Sequence, residues 1–349
     1  MSDGPGSLVA GPTTDNALDA LLSTPSLRLI DDARHIQGDL VVLGAGGKMG
    51  PSLCMLAANA LQRAGNPSTV TAVSRFSDAE VRRRLEAAGV RTHEADLLND
   101  DELASVPDAP NVMYMAGRKF ETSGEEHLTW AMNSYLPGRV ARRYRSSRIV
   151  VFSTGNVYPF VPVGSGGADE RTPLAPIGEY AQSCLARERM FENASRLSDT
   201  KVVLFRLNYA VALRYGVLTD LASAIVRGEE IPLSVPAFNA IWQTDANEYA
   251  IRSLLRCESP PRVLNATGPE TISVRWVAES LARRLETTVR FGDPGPDTAL
   301  LANASAAHRL FGYPEVALER MIDWTAGWLL AGGTVWDKPT KFHVRHGAY

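Results

Sequence analysis

Short apolar segments alternate with longer stretches of helical periodicity over the first two hundred residues of the chain. Segments that are apolar throughout are typical of strands buried on both faces of a sheet, and helical periodicity indicates helices with one apolar side. The alternation predicts strand–helix–strand units and hence an α/β fold built on a doubly wound parallel sheet. The predicted strands cover residues 40–43, 70–73, 112–115, 149–152 and 202–205, and predicted helices cover 78–88, 126–144 and 179–197.

A glycine-rich turn follows the first predicted strand. Residues 39–50 read DLVVLGAGGKMG and lead into a helical pattern that extends to about residue 63. Gly44 permits the tight turn, Gly47 lets the backbone approach a phosphate, and Gly50 lets the helix pack close to the sheet. This order of strand, turn and helix N-terminus binds the pyrophosphate of a dinucleotide. The sequence therefore predicts a Rossmann-type cofactor site that includes Lys48 and Met49.

The second half of the chain is less regular. A loop rich in Pro and Gly spans 158–177, and helical patterns cover 218–227, 244–256, 274–285 and 319–330. We predict a smaller α/β substrate-binding portion, interleaved with the dinucleotide-binding domain. The predicted division is a partly flexible leader at 1–37, a dinucleotide-binding domain at 38–210 with later segments near 236–268, a substrate-binding portion at 211–235 and 269–335, and a tail at 336–349.

The end of the second predicted strand indicates which nicotinamide cofactor is bound. An acidic residue there normally accepts from the ribose 2′-hydroxyl, whereas an Arg accommodates a 2′-phosphate. This chain has Ser74 and Arg75 at that point, and Lys48 offers a second cation. We therefore predict a preference for NADP(H), with NAD(H) possible. Asp96 and Leu97 follow the third strand, where Asp96 either receives the adenine amino group or caps the next turn.

Composition and charge exclude several classes of protein. The hydrophobic content of 45% supports a large core, and a net charge of -3 provides no footprint for nucleic acid. No run of about 18 apolar residues and no signal-peptide pattern occurs, so we expect neither membrane insertion nor secretion. Cys54, Cys184 and Cys257 are widely spaced and lack metal-ligand spacing, which predicts no metal site and a reducing cytoplasmic location.

From about residue 38 to 330 the order of motifs resembles the extended short-chain dehydrogenase/reductases, a family of sugar-nucleotide epimerases, dehydratases and reductases. The resemblance implies a nicotinamide cofactor, which Ala116 and Gly117 also contact. The motifs that carry it are the glycines at 44, 47 and 50, Ala116-Gly117, Asn133, the run FSTGNVY at 152–158, Tyr180, the run RLNY at 206–209, the run NATGPE at 265–270 and the run LFGYP at 310–314.

The resemblance implies a catalytic pair. Thr154 corresponds to the hydroxyl that hydrogen-bonds the reacting oxygen of the substrate. Tyr180 corresponds to the proton donor or acceptor that acts while hydride moves to or from nicotinamide, and it also contacts the cofactor. A carbonyl that gains hydride becomes an alkoxide, which requires a positioned proton.

One position departs from the family pattern. The family has Lys four residues after the catalytic Tyr, where its charge lowers the pKa of the Tyr; this chain has Cys184. Three interpretations remain open: a reductase that uses Tyr180 as an acid, an enzyme whose cation comes from elsewhere, or a cofactor-binding protein without redox catalysis. Lys119 is the preferred replacement cation, and we expect Arg187, two helical turns from Tyr180, to lie too far away for direct contact.

A second departure narrows the reaction, and a few residues indicate the substrate. Related 4,6-dehydratases carry an Asp-Glu pair where this chain has Gly155 and Asn156, which argues against dehydration by that mechanism. Asn156 is expected to face the substrate. Asn208 and Arg214 lie near positions that contact substrate in relatives, although both are also open to a structural role. Trp242 either stacks on a ring or fills the core.

The leading prediction is an NADP(H)-dependent oxidoreductase or epimerase that acts on a carbohydrate-like alcohol or ketone. The substrate is a sugar, a sugar acid or a nucleotide-sugar. The alternative is a non-redox protein that binds the dinucleotide as a sensor or structural element. A homodimer is expected because dimers are usual among similar proteins.

Overall fold

A computed structural model describes residues 9–119, 124–336, 338 and 340–347. Helices and strands alternate through most of this region. The helices are α1 (Asp15–Leu22), α2 (Leu27–Ala33), α3 (Gly50–Arg63), α4 (Ala79–Ala87), α5 (Asp100–Ser105), α6 (Glu126–Trp130), α7 (Leu136–Arg143), α8 (Gly178–Ser198), α9 (Val217–Val226), α10 (Gln243–Arg252), α11 (Val274–Arg284), α12 (Ser305–Phe311) and α13 (Leu318–Leu330).

Most of the fifteen strands in the described part of the chain are short. They are β1 (Leu40–Leu43), β2 (Val70–Ser74), β3 (Arg91–Glu94), β4 (Asn111–Tyr114), β5 (Arg148–Thr154), β6 (Val161–Pro162), β7 (Lys201–Leu207), β8 (Ala210–Val211), β9 (Glu230–Leu233), β10 (Ala237–Phe238), β11 (Ile241–Trp242), β12 (Arg262–Ala266), β13 (Ile272–Ser273), β14 (Arg290–Pro294) and β15 (Thr298–Ala299).

Seven parallel strands form the central sheet in the order β12-β7-β5-β4-β1-β2-β3. The predicted doubly wound parallel sheet is confirmed. Because β4 lies on the opposite side of β1 from β2, the direction of winding reverses between β1 and β4. A crevice at the carboxyl ends of the strands is the usual ligand site of such sheets.

Both faces of the sheet are buried, as the apolar runs predict. Leu40 and Val42 of β1 contribute to the cluster on one face, whereas Val41 and Leu43 contribute to the cluster on the other. Successive side chains of a strand point to opposite faces. The five predicted strands are present with bounds that differ by at most two residues. Of the two edge strands, β3 was expected ahead of Asp96 but without bounds, and β12 was not predicted, because neither has the fully buried apolar run of a central strand.

A second lobe adjoins the carboxyl edge of the sheet and is built around α9, α11 and α13. Its apolar cluster includes Leu218, Val277 and Ile322 together with Leu18 of α1. The last strand of the central sheet, β12, lies between α10 and α11 in sequence, so the two parts of the fold are interleaved as predicted.

Residues 15–33 of the predicted leader form two helices. Thr14 caps α1 and Ser26 caps α2 through their side-chain oxygens. Leu18 of α1 and Leu29 of α2 are fully buried. This part of the leader is therefore integral to the core, because its helices supply apolar side chains to both the second lobe and the sheet.

Two further observations concern the described part of the chain. None of its helices is both long enough and apolar enough to cross a membrane. Its His, Cys, Asp and Glu side chains form no group of three or more placed to hold a metal ion.

Candidate active site

A cleft of about 780 Å³ lies at the carboxyl ends of the central strands. The glycine-rich turn, the end of β5 and the first turn of α8 form its sheet side. The start of α9 and C-terminal residues form its covering side. The structure brings most of the predicted site residues together here: Gly44, Gly47, Lys48, Met49, Gly50, Gly117, Lys119, Thr154, Asn156, Tyr180 and Asn208.

The glycine-rich turn has the shape that a dinucleotide pyrophosphate requires. Gly44 has a φ of +87°, and a Cβ there would lie 2.5 Å from the backbone nitrogen of Ala116, so the turn packs tightly against the end of β4. A Cβ at Gly50 would lie 2.2 Å from the Ala45 carbonyl oxygen. A Cβ at Gly47 would approach nothing closer than 3.5 Å, which leaves its backbone accessible from the cleft. The turn therefore fits a phosphate ligand.

Five of the predicted cofactor residues lie outside the cleft lining. Ala116 packs against the glycine turn. Ser74 is half-buried and Arg75 exposed at the end of β2. Asp96 accepts a hydrogen bond at 3.0 Å from the backbone nitrogen of Leu98, which is the turn-capping role left open by the sequence. Leu97 is buried in the cluster on one face of the sheet.

Thr154 and Tyr180 meet in the cleft. Thr154 is the last residue of β5, and Tyr180 lies in the first turn of α8. The Tyr180 hydroxyl lies within hydrogen-bonding reach of both Thr154 and Cys184. Thr154 also accepts from the Asn156 backbone nitrogen at 3.2 Å and donates to its Oδ1 at 3.1 Å, which fixes the threonine rotamer.

The surroundings of Tyr180 keep its phenol protonated. Burial raises the pKa of Tyr180 well above its ordinary value of 10.0, and Cys184 raises it further. Burial also raises the pKa of the Cys184 thiol, so neither group carries a charge at neutral pH. A neutral phenol is a proton donor and a very weak base. The dyad is therefore suited to protonating an oxygen.

Two cations act near this dyad. The Lys119 ammonium nitrogen lies 5.7 Å from the centroid of the Tyr180 ring. Arg187, a buried residue of α8, is the second cation, and its charge lowers the pKa of both Tyr180 and Cys184. The sequence predicts that Arg187 lies too far from Tyr180 for direct contact. The charge of Arg187 nevertheless acts on the dyad through the buried interior, where charges are poorly screened.

A buried asparagine fixes Arg187 and was not assigned a role from the sequence. Asn133 Oδ1 accepts from Arg187 Nη2 at 2.7 Å and from the Arg118 nitrogen at 2.8 Å. Asn133 Nδ2 donates to Ser183 at 3.0 Å. Asn133 lies in a π-helical segment, Ala131–Tyr135, between α6 and α7. Pro137 has no amide hydrogen to continue a regular helix here, so the predicted helix at 126–144 is interrupted at this site.

A second buried network supports the end of β5. Glu188 of α8 accepts from Ser153 at 2.5 Å and from Arg206 Nη2 at 2.7 Å. Arg206 also donates to the Tyr158 hydroxyl at 2.7 Å. These contacts join β5, β7 and α8 directly behind Thr154, so they hold the end of β5 and the helix that carries Tyr180 together.

The predicted substrate residues divide into two groups. Asn156 and Asn208 line the cleft, and Asn208 Oδ1 lies 3.0 Å from where a Cβ at Gly155 would be. Arg214 instead forms ion pairs with Asp15 and Asp19 of α1.

Trp242 is also away from the cleft, in the core of the second lobe. It is 1% exposed and its ring packs at 5.3 Å against Trp324. The candidate site therefore excludes Trp242 and Arg214. The sequence left a core role open for Trp242 and a structural role open for Arg214.

The covering side of the cleft contains residues that sequence reasoning missed. They come from a loop before α9 and from the C-terminal tail, and no motif marks them. They are Tyr215, Gly216, Val217, Lys338, Thr340 and Lys341.

The fold and the site together define a Rossmann-type α/β protein with a hydroxyl dyad beside its glycine-rich turn. The model of the NAD dependent epimerase/dehydratase family matches residues 40–236, more than half of the chain. The chain belongs to this family. The predicted resemblance to extended short-chain dehydrogenase/reductases, and the prediction of an enzyme of that type, are confirmed. No curated protein matches the chain by sequence.

Solved structures share the fold at low sequence identity. UDP-glucuronic acid 4-epimerase from Bacillus cereus, in complex with NAD, gives a TM-score of 0.68 at 16% identity over 84% of this chain and 98% of that one. dTDP-glucose 4,6-dehydratase from Bacillus anthracis str. Ames, in complex with NAD, gives a TM-score of 0.70 at 16% identity over 84% of this chain and 96% of that one. A UDP-galactose 4-epimerase gives a TM-score of 0.66 at 20% identity over 84% of this chain and 99% of that one.

Proposed function

We propose that this chain is an oxidoreductase or epimerase that uses a nicotinamide dinucleotide, with NADP(H) preferred, on a carbohydrate-like alcohol or ketone. The observation that carries the proposal is the contact between Thr154 and Tyr180 in a cleft that also contains the glycine-rich turn. Gly44, Gly47 and Gly50 would hold the cofactor phosphates. The nicotinamide would then lie toward the end of β5, beside the dyad.

The residues support carbonyl reduction most directly. A reduced nicotinamide, when bound, would supply the hydride that the carbonyl carbon gains. Thr154 holds the carbonyl oxygen, and Tyr180 donates its phenolic proton to that oxygen as negative charge develops. Alcohol oxidation, and the oxidative half of an epimerisation, requires Tyr180 to accept a proton instead. The raised pKa of Tyr180 means that this direction depends on help from Arg187 and Lys119.

The preference for NADP(H) rests on the end of β2. Ser74 and exposed Arg75 stand where a carboxylate would select NAD(H). The first two structures compared above hold NAD, so NAD(H) is the competing cofactor. Dissociation constants for NADPH and NADH decide between them: Arg75→Ala should weaken NADPH by about tenfold, the value of one charge-assisted phosphate contact, and leave NADH unchanged.

A second candidate function is a non-redox protein that binds the dinucleotide as a sensor or structural element. The observation that favours it is Cys184 at the position of the family Lys, within reach of the Tyr180 hydroxyl. Both functions require the protein to bind the cofactor. They differ in one property, because only the first oxidises or reduces the bound cofactor.

The experiment that tests the proposal is the absorbance of reduced nicotinamide during incubation with ketose sugars, oxidised sugar acids and nucleotide-sugars. Wild-type protein should consume NADPH with at least one class. Tyr180→Phe should slow turnover by at least about a hundredfold because the proton donor is lost, with NADPH affinity unchanged. Tyr313→Phe, at an exposed surface tyrosine, is the matched control. Full activity of Tyr180→Phe would refute the assigned role, and cofactor binding without turnover would favour the second candidate.

We extend the proposal to a homodimer in the cytoplasm. Trp130, Tyr135 and Met190 are exposed side by side around a groove shared by α8 and the π-helical segment, a surface that a second copy would cover. Light scattering on the purified chain tests this, and a monomer at micromolar concentration would refute it. The three free cysteines support a reducing compartment.

A further inference from the structure

Lysine is rare in this chain and is concentrated in the cleft. The sequence has five lysines, although Lys and Arg together number 36. Lys201 lies on the surface and pairs with Asp199 at 2.8 Å. The other four line the same cleft and are here called the lysine cluster: Lys48, Lys119, Lys338 and Lys341. Arg forms most of the surface ion pairs of the described residues, so the use of lysine in the cleft is selective.

The members of the cluster come from separate parts of the chain. Lys48 belongs to the glycine-rich turn, and Lys119 follows β4. Lys338 and Lys341 belong to the C-terminal strap, defined as the described residues 336, 338 and 340–347. None of the described residues that line the cleft is acidic. The fold therefore brings four ammonium groups to one cavity.

Both ends of the strap are attached to the body of the protein. At one end the Trp336 nitrogen donates to the Arg214 carbonyl oxygen at 2.8 Å. At the other end Gly347 packs against Gly178, the first residue of α8, where a Cβ would lie 2.6 Å from the Gly347 oxygen. The strap thus extends from the start of the second lobe to the helix that carries Tyr180.

The middle of the strap is fixed as well. The Thr340 nitrogen and hydroxyl donate to Asp220 of α9 at 2.7 and 2.6 Å. Phe342 is buried in the second lobe, with its ring 6.2 Å from that of Phe238. Thr340 lies between Lys338 and Lys341 in sequence, and Phe342 follows Lys341. The contacts of Thr340 and Phe342 therefore hold the two lysines over the cleft.

The charges of the cluster act on one another. Burial lowers the pKa of Lys48 to about 7, with repulsion from Lys119 and Lys338 as further causes. Burial lowers the pKa of Lys119 to about 8; Cys184 and Asp220 oppose this shift, and repulsion from Lys341 adds to it. The Lys48 ammonium also lies 3.3 Å from the centroid of the Tyr215 ring. An anion in the cleft would relieve this repulsion and restore full charge to both lysines.

We propose that the lysine cluster is a binding site for an anionic group of the substrate, either a phosphate or a carboxylate, and that the strap supplies half of it. The inference rests on the proposed function and deepens it, because it excludes neutral sugars as substrates. Lysine suits this role as a compact charge on a flexible stem, able to follow an anion during binding and release. The cofactor phosphates are the competing source of the same chemistry, since Lys48 adjoins the glycine-rich turn.

The test is calorimetric titration of the full chain, with and without saturating NADPH. The probes are UDP and glucuronate, with glucose as the uncharged control. UDP or glucuronate should bind, and glucose should not. The double variant Lys338→Gln, Lys341→Gln should bind the anionic probe about tenfold more weakly, as expected for loss of charge-assisted contacts. Lys201→Gln, the remaining lysine of the chain, should leave the affinity unchanged.

The outcomes separate the substrate from the cofactor. NADPH affinity should change by less than about twofold in the double variant, because the strap lies on the covering side. An equal loss of NADPH affinity would assign the cluster to the cofactor and overturn the proposal, as would unchanged affinity for UDP and glucuronate. Thermal unfolding of each variant verifies the fold. Since the readout is equilibrium binding, absence of redox turnover would refute the proposed function without affecting this result.

Discussion

The two sides of the cleft are built in different ways. On the sheet side, the glycine turn, Thr154 and Tyr180 lie at the ends of central strands or in the helix that follows, and local sequence determines each of them. On the covering side, the strap lysines are positioned by the contact of Thr340 with Asp220, which lies 120 residues away in sequence. In the proposed function, the sheet side performs the chemistry and the strap on the covering side contributes to substrate selection.

The largest expected effect tests the sheet side at Gly44. Gly44→Ala places a Cβ 2.5 Å from the Ala116 nitrogen at a φ of +87°. We expect it to lower the free energy of unfolding by about 2–5 kcal/mol and to abolish cofactor binding. Gly89→Ala is the matched control, because its φ is +77° but no atom lies within 4 Å. Chemical denaturation should show that the free energy of unfolding falls by only about 1 kcal/mol in the control. Equal decreases in the two variants would mean that close packing at Gly44 is unimportant.

The next effect concerns the buried cation behind the dyad. Arg187→Met leaves the Phe152 carbonyl and Asn133 Oδ1 without a charged donor. We expect the free energy of unfolding to fall by about 2–3 kcal/mol, measured by denaturant titration. Arg189→Met, two residues along the same helix in an exposed pair with Glu192, should change stability little. Similar values for both variants would contradict the assigned buried network.

A smaller effect tests the missing family lysine. Cys184→Lys adds a cation within reach of Tyr180, which lowers the pKa of that phenol. The ratio of kcat for alcohol oxidation to kcat for carbonyl reduction should rise by about tenfold at neutral pH, measured with saturating substrates, because the ratio of kcat/KM values is fixed by the overall equilibrium. Cys184→Ser is the control, because it changes the side chain at the same position without adding charge. An unchanged ratio in Cys184→Lys would indicate that Arg187 and Lys119 already supply the cation.

The smallest effect tests the lysine cluster, which spans both sides of the cleft, by pH. Lys48 and Lys119 have pKa values of about 7 and 8, so each loses its proton as the pH rises from 6 to 9. Lys338 and Asp220 are the other charges that act on Lys48. Affinity for glucuronate, whose carboxylate is ionised throughout this interval, should therefore decrease severalfold, and Lys48→Arg, whose charge persists, should flatten the profile. A wild-type affinity that rises with pH would contradict the role of these lysines.

Local patterns were sufficient for the sheet but not for its surroundings. Leu40–Leu43 is buried on both faces, so an apolar run identifies it, whereas edge strand β3 reads RTHE and has no such signal. Asn133 was noticed only by resemblance, and its contact with Arg187 needed the structure.

Long-range contacts account for the remaining differences. Arg214 has the positive charge needed to bind a phosphate, but it forms ion pairs with Asp15 and Asp19 of the leader instead. Lys338 and Lys341 belong to no motif, because the contact that fixes them joins Thr340 to Asp220. The one available sequence signal was the small number of lysines.

A crystal structure of the chain with bound NADP(H) tests the central claim most directly. The account predicts the pyrophosphate against Gly44, Gly47 and Gly50, and the nicotinamide ring in contact with the Tyr180 side chain next to Thr154. A nicotinamide ring outside the cleft, or a Tyr180 hydroxyl that faces away from it, would contradict the account.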